Sequence, residues 1–239
     1  MIRSQLFMKS YFSILGLALF VGSMSTVSGA EITGKVKLKG TPKPEITIPL
    51  DATCGKMHTG PVTTRHFVVG ADEGLANVFV YIKEGAKKTP PSGEAPLLDQ
   101  VGCIYEPYVM GVVTDQKFKV RNSDPVLHNI HATPKVNKEF NLAQPLKGQV
   151  TERNFDKPEV LVRVKCDVHP WMFTYVGVVD HPYFAVTDKD GNFKISNLPA
   201  GKYTVEAFHL KAGAKNQEIT VADGDKKTAD FELQAPAAP

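Results

Sequence analysis

The stretch that decides the fold is VLVRVKCDVHPWM, residues 160–172. Apolar side chains recur at every second position up to the cysteine, which is the period of a β-strand with one buried face. We expect the following side chains to share that face: Val160, Val162, Val164 and Cys166. His169 and Met172 follow at intervals of three residues, so a tight turn after the strand can bring a thiol, an imidazole and a thioether together.

A second imidazole is available upstream, in the stretch LHNIHA at residues 127–132. We predict that His128 is the one used, because Asn129 after it can hydrogen-bond across to the cysteine turn and fix the sulfur. His131 differs from it in strand parity and should lie on the opposite face. Two imidazoles, a thiolate and a weak axial thioether form a ligand set that selects copper.

Short apolar runs separated by Gly, Pro and Asp clusters recur along the rest of the chain. We expect strands at residues 31–38, 66–69, 78–82, 118–120, 160–164, 176–179, 193–195, 203–208, 219–221 and 231–233. The Pro-rich stretch EGAKKTPPSGEAP at 84–96 predicts a linker or long loop, and the tail 236–239 is expected to be disordered. Because no long helical period is present, the pattern predicts an all-β protein built as sandwiches or barrels.

The composition is that of a globular protein. Of the 239 residues, 42% are hydrophobic and 22% are charged, which is enough apolar material for a sizeable core. Lys and Arg number 28 against 25 Asp and Glu, and no basic run is interleaved with aromatic residues. The sequence therefore argues against a nucleic-acid partner.

The N-terminus has the pattern of a secretory signal peptide. Arg3 and Lys9 precede an apolar run at residues 11–21, and small residues follow up to Ala30. The run is shorter than the roughly 20 residues that a membrane-spanning helix needs. We expect cleavage after Ala30 and a periplasmic or secreted protein that does not span the membrane, the alternative being an uncleaved anchor or lipid tether.

A hairpin pattern stands near the C-terminus, where DKDG is followed by FKI and then by LPAGKYTV, ending at Val205. Asp-Gly permits the positive φ of a tight hairpin turn. The pattern resembles the carboxypeptidase regulatory-like domain, and residues 32–40 and 75–82 (LANVFVYI) resemble that family's first strands. The resemblance implies a transthyretin-like, or prealbumin-like, β-sandwich interrupted by an insert. The implied ranges are 31–97 and 181–235 for this sandwich and 98–180 for the insert.

The insert resembles the cupredoxins, within them the amicyanin- and plastocyanin-like blue copper proteins, in its cysteine turn and its upstream His-Asn pair. The resemblance implies a Greek-key β-sandwich with one type I copper ion. The implied ligands are His128, Cys166, His169 and Met172. It also implies that Pro170 and Trp171 form an apolar docking patch for redox protein partners, such as a cytochrome or a periplasmic dehydrogenase.

The two other cysteines, Cys54 and Cys103, are expected to form a disulfide if Cys166 binds the metal, because an exported chain then has an even number left. The bridge would close a loop of 48 residues (103 minus 54, less one), a length for which chain entropy gives about 4 kcal/mol. The alternative is a second soft-metal site in CGKMH, with Cys54, Met57 and His58. The remaining histidines are expected to be structural: His66, His181 and His209.

These observations favour a single-electron carrier rather than an enzyme. Copper delivery or copper-dependent catalysis stays open, since either needs an exchangeable site or an open coordination position. A non-catalytic extracellular binding module is a further alternative, because it explains the regulatory-like sandwich alone. A cysteine hydrolase is disfavoured, since a core-facing Cys166 is poorly accessible as a nucleophile.

Overall fold

Four β-sheets make up the fold in the computed structural model, which describes residues 29–236. The predicted signal peptide lies outside the described residues except for Gly29 and Ala30, and most of the predicted tail, 237–239, also lies outside them. No helix among the described residues is long and apolar enough to cross a membrane.

Nearly all of the regular secondary structure in the described residues is strand, which confirms the all-β prediction. The strands are β1 Ala30–Lys39, β2 Phe79–Glu84, β3 Leu97–Val101, β4 Ile104–Glu106, β5 Val109–Val113, β6 Phe118–Asn122, β7 His128–Thr133, β8 Phe140–Gln144, β9 Val150–Arg153, β10 Glu159–Lys165, β11 Phe173–Val179, β12 Phe184–Val186, β13 Asn192–Leu198, β14 Gly201–His209, β15 Gly213–Val221, β16 Lys226–Thr228 and β17 Phe231–Gln234. A four-residue helix, α1, spans Ala52–Gly55, and a 3-10 turn spans Ala71–Glu73.

The first pair of sheets uses strands from both ends of the described chain. One sheet has the order β13-β1-β16, with β17 also paired to β1, and the other has the order β12-β2-β14-β15. Alternating side chains of the two sheets form one buried cluster, which includes Ile32, Val80, Ile195, Val205 and Phe231. The strand pattern thus joins residues far apart in sequence into one sandwich.

The second pair of sheets is built from the middle of the chain. Its sheets have the orders β5-β11-β10-β7-β8 and β4-β3-β6-β9. Their inward side chains form a second cluster, which includes Leu98, Phe118, Ile130, Val164 and Val176. Along the chain, the strands therefore change from the first pair of sheets to the second between β2 and β3, and back again between β11 and β12. The domain boundaries at 97–98 and 180–181 stay a proposal.

Aromatic side chains join the two sandwiches. Phe79 of β2 packs in a third buried cluster with Tyr108 and Tyr175. Gly177 of β11 lies against this ring, and a Cβ there would stand 2.5 Å from a Phe79 ring atom. The close approach explains why a strand rich in valine carries a glycine at this position.

Two sequence-based predictions about strands are wrong. Residues 66–69 form no strand, since only an isolated bridge between Val69 and Leu75 is present there. Val160 does not share the face of Val162, because Leu161 has a φ of 58° and the pairing of β10 with β11 shifts register at this point. Such a bulge turns the preceding side chain, so Val160 packs at the interface between the sandwiches.

Candidate metal centre

The predicted ligands come from two neighbouring strands and the turn between β10 and β11. β7 and β10 pair antiparallel, with Lys165 opposite His131, so the start of β7 lies beside the end of β10. His128 is the first residue of β7, and Cys166 follows β10 directly. The pairing therefore explains why two segments almost forty residues apart meet at one end of the sandwich.

Three donor atoms converge at this end. The Nδ1 atoms of His128 and His169 are 3.0 Å apart, and the Cys166 Sγ lies 4.0 Å from the first and 3.7 Å from the second. Donors bound to one ion at about 2.0–2.3 Å can be up to about 4.4 Å apart. All three separations meet this limit, and all three side chains are buried, so the donor set fits a soft transition metal.

Met172 closes the turn that carries these ligands. The Cys166 N–H donates to the Met172 carbonyl at 2.9 Å, and the Met172 N–H donates to the His169 carbonyl at 2.9 Å. The Met172 side chain is buried in the same cluster as Cys166. The turn is thus fixed by its own backbone, and the fourfold ligand set stays a prediction.

Asn129 bridges β7 and the cysteine turn. Its Oδ1 accepts the Asp167 N–H at 2.6 Å and lies 3.3 Å from the Cys166 sulfur. The Asn129 carbonyl accepts the hydroxyl of the fully buried Tyr105 at 2.8 Å. These contacts tie β7 to the turn beside the sulfur, and the role of Asn129 in fixing the sulfur stays a prediction.

His131 points away from the centre. It lies on the other face of β7, where its Nδ1 is 2.8 Å from an Asp167 oxygen and its Nε2 is 2.7 Å from Glu139. Both of its ring nitrogens therefore have partners outside the centre.

Asp124 supports the centre and was missed in the sequence. Its Oδ2 lies 2.9 Å from the Nε2 of His128 and also accepts the Cys103 N–H at 2.8 Å, while its Oδ1 accepts the Gly102 N–H at 2.7 Å. A carboxylate at Nε2 keeps that nitrogen protonated and leaves Nδ1 as the free donor. No local sequence pattern marks this residue, because its partners are brought to it by folding.

A segment of the first sandwich covers His169. Asp51 caps α1 by accepting the N–H groups of Thr53 and Cys54, and its Oδ2 lies 3.8 Å from the Nε2 of His169. The structure contains the disulfide between Cys54 and Cys103, which links this segment to the turn between β3 and β4. His169 is therefore almost as buried as His128.

Two of the three converging donors are shifted toward the forms that bind a metal ion, whereas burial of the His128 ring is outweighed by its hydrogen bonds to Asp124 and Cys166, so that its pKa is raised. Burial raises the pKa of the Cys166 thiol, but the hydrogen bond from the His128 ring and backbone donors outweigh it, so that the pKa is lowered overall. Burial and the adjacent His128 ring both lower the pKa of His169. A thiolate and a neutral imidazole are the forms that bind a metal ion.

The remaining candidates lie around the centre. Pro170 is exposed, while Trp171 is half-buried, donates from Nε1 to the Cys103 carbonyl at 3.1 Å and places its ring 5.3 Å from that of His169. His58 Nε2 lies 2.7 Å from the Gly102 carbonyl. Since Cys54 is in the disulfide, the alternative CGKMH site lacks its thiolate in this state.

Two other histidines have structural contacts. His181 Nε2 lies 2.7 Å from the Ile82 carbonyl, and His209 Nδ1 accepts the N–H groups of Lys211 and Ala212. His66 opens no strand, and its buried Nδ1 has no hydrogen-bond partner among the described residues. None of the three is among the converging donors.

Comparison with known proteins finds two families. The model of the carboxypeptidase regulatory-like domain matches residues 174–234. Among solved structures, the chain is similar to a purple cupredoxin from Nitrosopumilus maritimus, at 24% identity over 35% of this chain and 98% of that chain, with a TM-score of 0.30. The chain resembles both families. No curated protein matches it.

Two further structures are similar over a slightly larger share of the chain. One is a Cu(I) form of an amicyanin mutant, at 21% identity, covering 41% of this chain and 97% of that chain, with a TM-score of 0.32. The other is a Cu-containing nitrite reductase from Thermus scotoductus SA-01, at 20% identity, covering 42% of this chain but 25% of that chain, with a TM-score of 0.32.

Proposed function

We propose that this chain is an exported carrier of single electrons that holds one type I copper ion. The proposed ligands are His128, Cys166, His169 and Met172. The observation that carries the proposal is the convergence of a buried thiol and two imidazole Nδ1 atoms within 4.0 Å of one another. A soft thiolate together with two imidazoles selects copper among the common metals.

The protein's contribution is to hold these donors in one arrangement. When bound, copper supplies two oxidation states that differ by one electron. Asn129 fixes the turn beside the sulfur by accepting the Asp167 N–H, Asp124 fixes the His128 ring, and the backbone of the turn fixes His169. Buried and fixed donors keep water out and move little when the charge of the centre changes, which suits electron transfer.

The proposed exit for the electron is the His169 side of the centre. His169 is 5% exposed, whereas His128 is fully buried. The neighbouring Val168 and Pro170 are exposed, as is Leu127 beside the other histidine. This apolar rim is the surface on which we propose that a redox protein docks, with the regulatory-like sandwich orienting the centre toward the partner.

Export is the second part of the proposal. The signal-peptide pattern and the disulfide both suit an oxidising compartment. N-terminal sequencing of the protein purified from the periplasm or the medium should begin at Glu31. A chain that stays in the cytoplasm would contradict export, and an exported chain that retains Arg3 would contradict cleavage after Ala30.

The visible spectrum of the copper-loaded protein tests the proposal. Stoichiometric copper should give an intense band in the oxidised protein that disappears on reduction. Cys166→Ser and His128→Gln should abolish the band, whereas the matched control His131→Gln should retain it, because that ring points away from the centre. A colourless copper complex would favour a role in copper delivery instead. A protein that binds no copper would favour the non-catalytic extracellular binding module.

A further inference from the structure

The Cys54–Cys103 disulfide lies directly against the proposed copper centre. Its two sulfur atoms and a ring nitrogen of His169 lie within 4.8 Å of one another. Both cysteines are fully buried, and His169 is nearly so. This cluster shares His169 with the proposed centre, and its two cysteines lie outside the proposed ligand set.

We propose that reduction of this disulfide creates a second soft-metal site, formed by Cys54, Cys103 and His169, that binds Cu(I). The reductant is a dithiol. Its two sulfurs become joined as the Cys54–Cys103 bond breaks, two electrons pass to the cysteine sulfurs, and each sulfur takes up a proton. When Cu(I) binds, the two thiols release these protons and bind as thiolates.

The donor chemistry fits this ion. Thiolates are the ligands that soft Cu(I) prefers, and an imidazole is compatible with them. Two sulfurs that each lie about 2.3 Å from one ion can be up to about 4.6 Å apart. The three donors lie within 4.8 Å of one another, close to this limit, so small movements of the freed side chains would bring them around one ion.

Two of the donors are held in place independently of the disulfide. The Cys103 N–H donates to Asp124, and the Cys103 carbonyl accepts the indole N–H of Trp171. His169 is fixed by the backbone of its turn. Breaking the S–S bond therefore leaves a preformed half-site on the second sandwich.

The third donor arrives on α1. Asp51 caps this helix by accepting the Cys54 N–H at 2.8 Å, and Cys54 is its only buried residue. A surface segment of this kind can open locally, which gives a dithiol access to the sulfur. The cap then returns Cys54 to the same position when the segment closes.

The second site goes beyond the proposed electron carrier. Because His169 belongs to both donor sets, the two sites share one imidazole ring. The state of the disulfide would then decide whether Cys166 is the only thiolate that binds copper beside this ring.

The test uses full-length Cys166→Ser, which lacks the thiolate of the first centre. The protein is reduced with dithiothreitol, desalted without oxygen and titrated with Cu(I) against a coloured Cu(I) chelator. We expect the reduced protein to retain one equivalent of Cu(I). The same variant with its disulfide intact, and reduced Cys166→Ser/Cys54→Ser, should bind more weakly by about tenfold or more, since loss of a direct ligand costs at least as much as loss of its support.

Two imidazole variants in the same reduced background locate the third donor. His169→Gln should weaken Cu(I) binding, and His58→Gln should leave it unchanged. Equal binding by the reduced and oxidised forms, or dependence on His58 instead of His169, would overturn the proposal. Circular dichroism shows whether the reduced chain stays folded. An unfolded reduced chain would have no preformed site and would also refute the proposal. Every variant in this test lacks Cys166. A negative result therefore speaks against the second site and not against the proposed electron carrier.

Discussion

Asp124→Asn is the substitution that probes the support of the centre most sharply. The carboxylate is buried and accepts three N–H groups, from Gly102, Cys103 and the His128 ring. An asparagine has the same shape but can accept at only one end of the group. Whichever way the amide turns, its NH₂ faces at least one N–H donor.

The size of the effect follows from this geometry. If the NH₂ faces His128, the ring must accept at Nε2 and carry its proton on Nδ1, where the metal would bind. Loss of an outer partner of a metal-bound histidine typically costs 10–100-fold in affinity. We therefore expect copper affinity to fall by about 10–100-fold, or about 1.4–2.7 kcal/mol.

The assay is a competition titration of copper with a chelator, on wild type and Asp124→Asn. The matched control is Glu206→Gln, which also replaces a buried carboxylate that accepts hydrogen bonds, from Tyr81 and Lys83, but lies in the other sandwich. It should leave copper affinity unchanged. An affinity of Asp124→Asn within threefold of wild type, or an equal loss in the control, would refute the reasoning.

Three further predictions concern stability, each measured by denaturant unfolding. Burial lowers the pKa of His209 to about 4 from 6.5, so the unfolded chain takes up a proton first as the pH falls. Between pH 7 and pH 4 the free energy of unfolding of wild type should therefore fall by about 3 kcal/mol more than that of His209→Asn. If the free energies of the two proteins fell in parallel with pH, protonation of His209 would not be the cause. The free energy of unfolding of the double variant Cys54→Ala/Cys103→Ala should be lower by about 4 kcal/mol, whereas no loss would mean that the disulfide does not restrict the unfolded chain. Gly177→Ala should cost about 1–3 kcal/mol, because its Cβ would meet the Phe79 ring, and an unchanged midpoint would argue against this tight contact.

The approach of the donors to one another was predictable from local pattern. The two-residue period places Cys166 at the end of a buried row, and the turn length brings His169 back toward it. His128 could be chosen over His131 because Asn129 follows it, and strand parity then puts His131 on the opposite face. These predictions depend only on residues close in sequence and on the pairing of two adjacent strands.

The supporting residues were not predictable in this way. Asp124 and Asp51 are unremarkable acidic residues in loops until folding brings the turn at Cys103 and the α1 segment against the histidines. Their roles depend on contacts between distant parts of the chain. A single sequence gives no signal for such contacts.

The position of Val160 shows a different limit. The alternating pattern suggested a regular strand, but Leu161 adopts a positive φ that leucine rarely takes, and the strand bulges there. The bulge moves one apolar residue from the core to the interface between the sandwiches, where Val160 is partly buried among apolar side chains. Hydrophobicity alone cannot distinguish them.

X-ray absorption at the copper edge tests the central claim most directly, because it counts the atoms bound to the ion. Copper-loaded wild type should show one short bond to sulfur together with two imidazole nitrogens, and Cys166→Ser should lose the sulfur while its fold is retained. A wild-type spectrum without a short sulfur bond, or one that Cys166→Ser leaves unchanged, would contradict copper binding at Cys166.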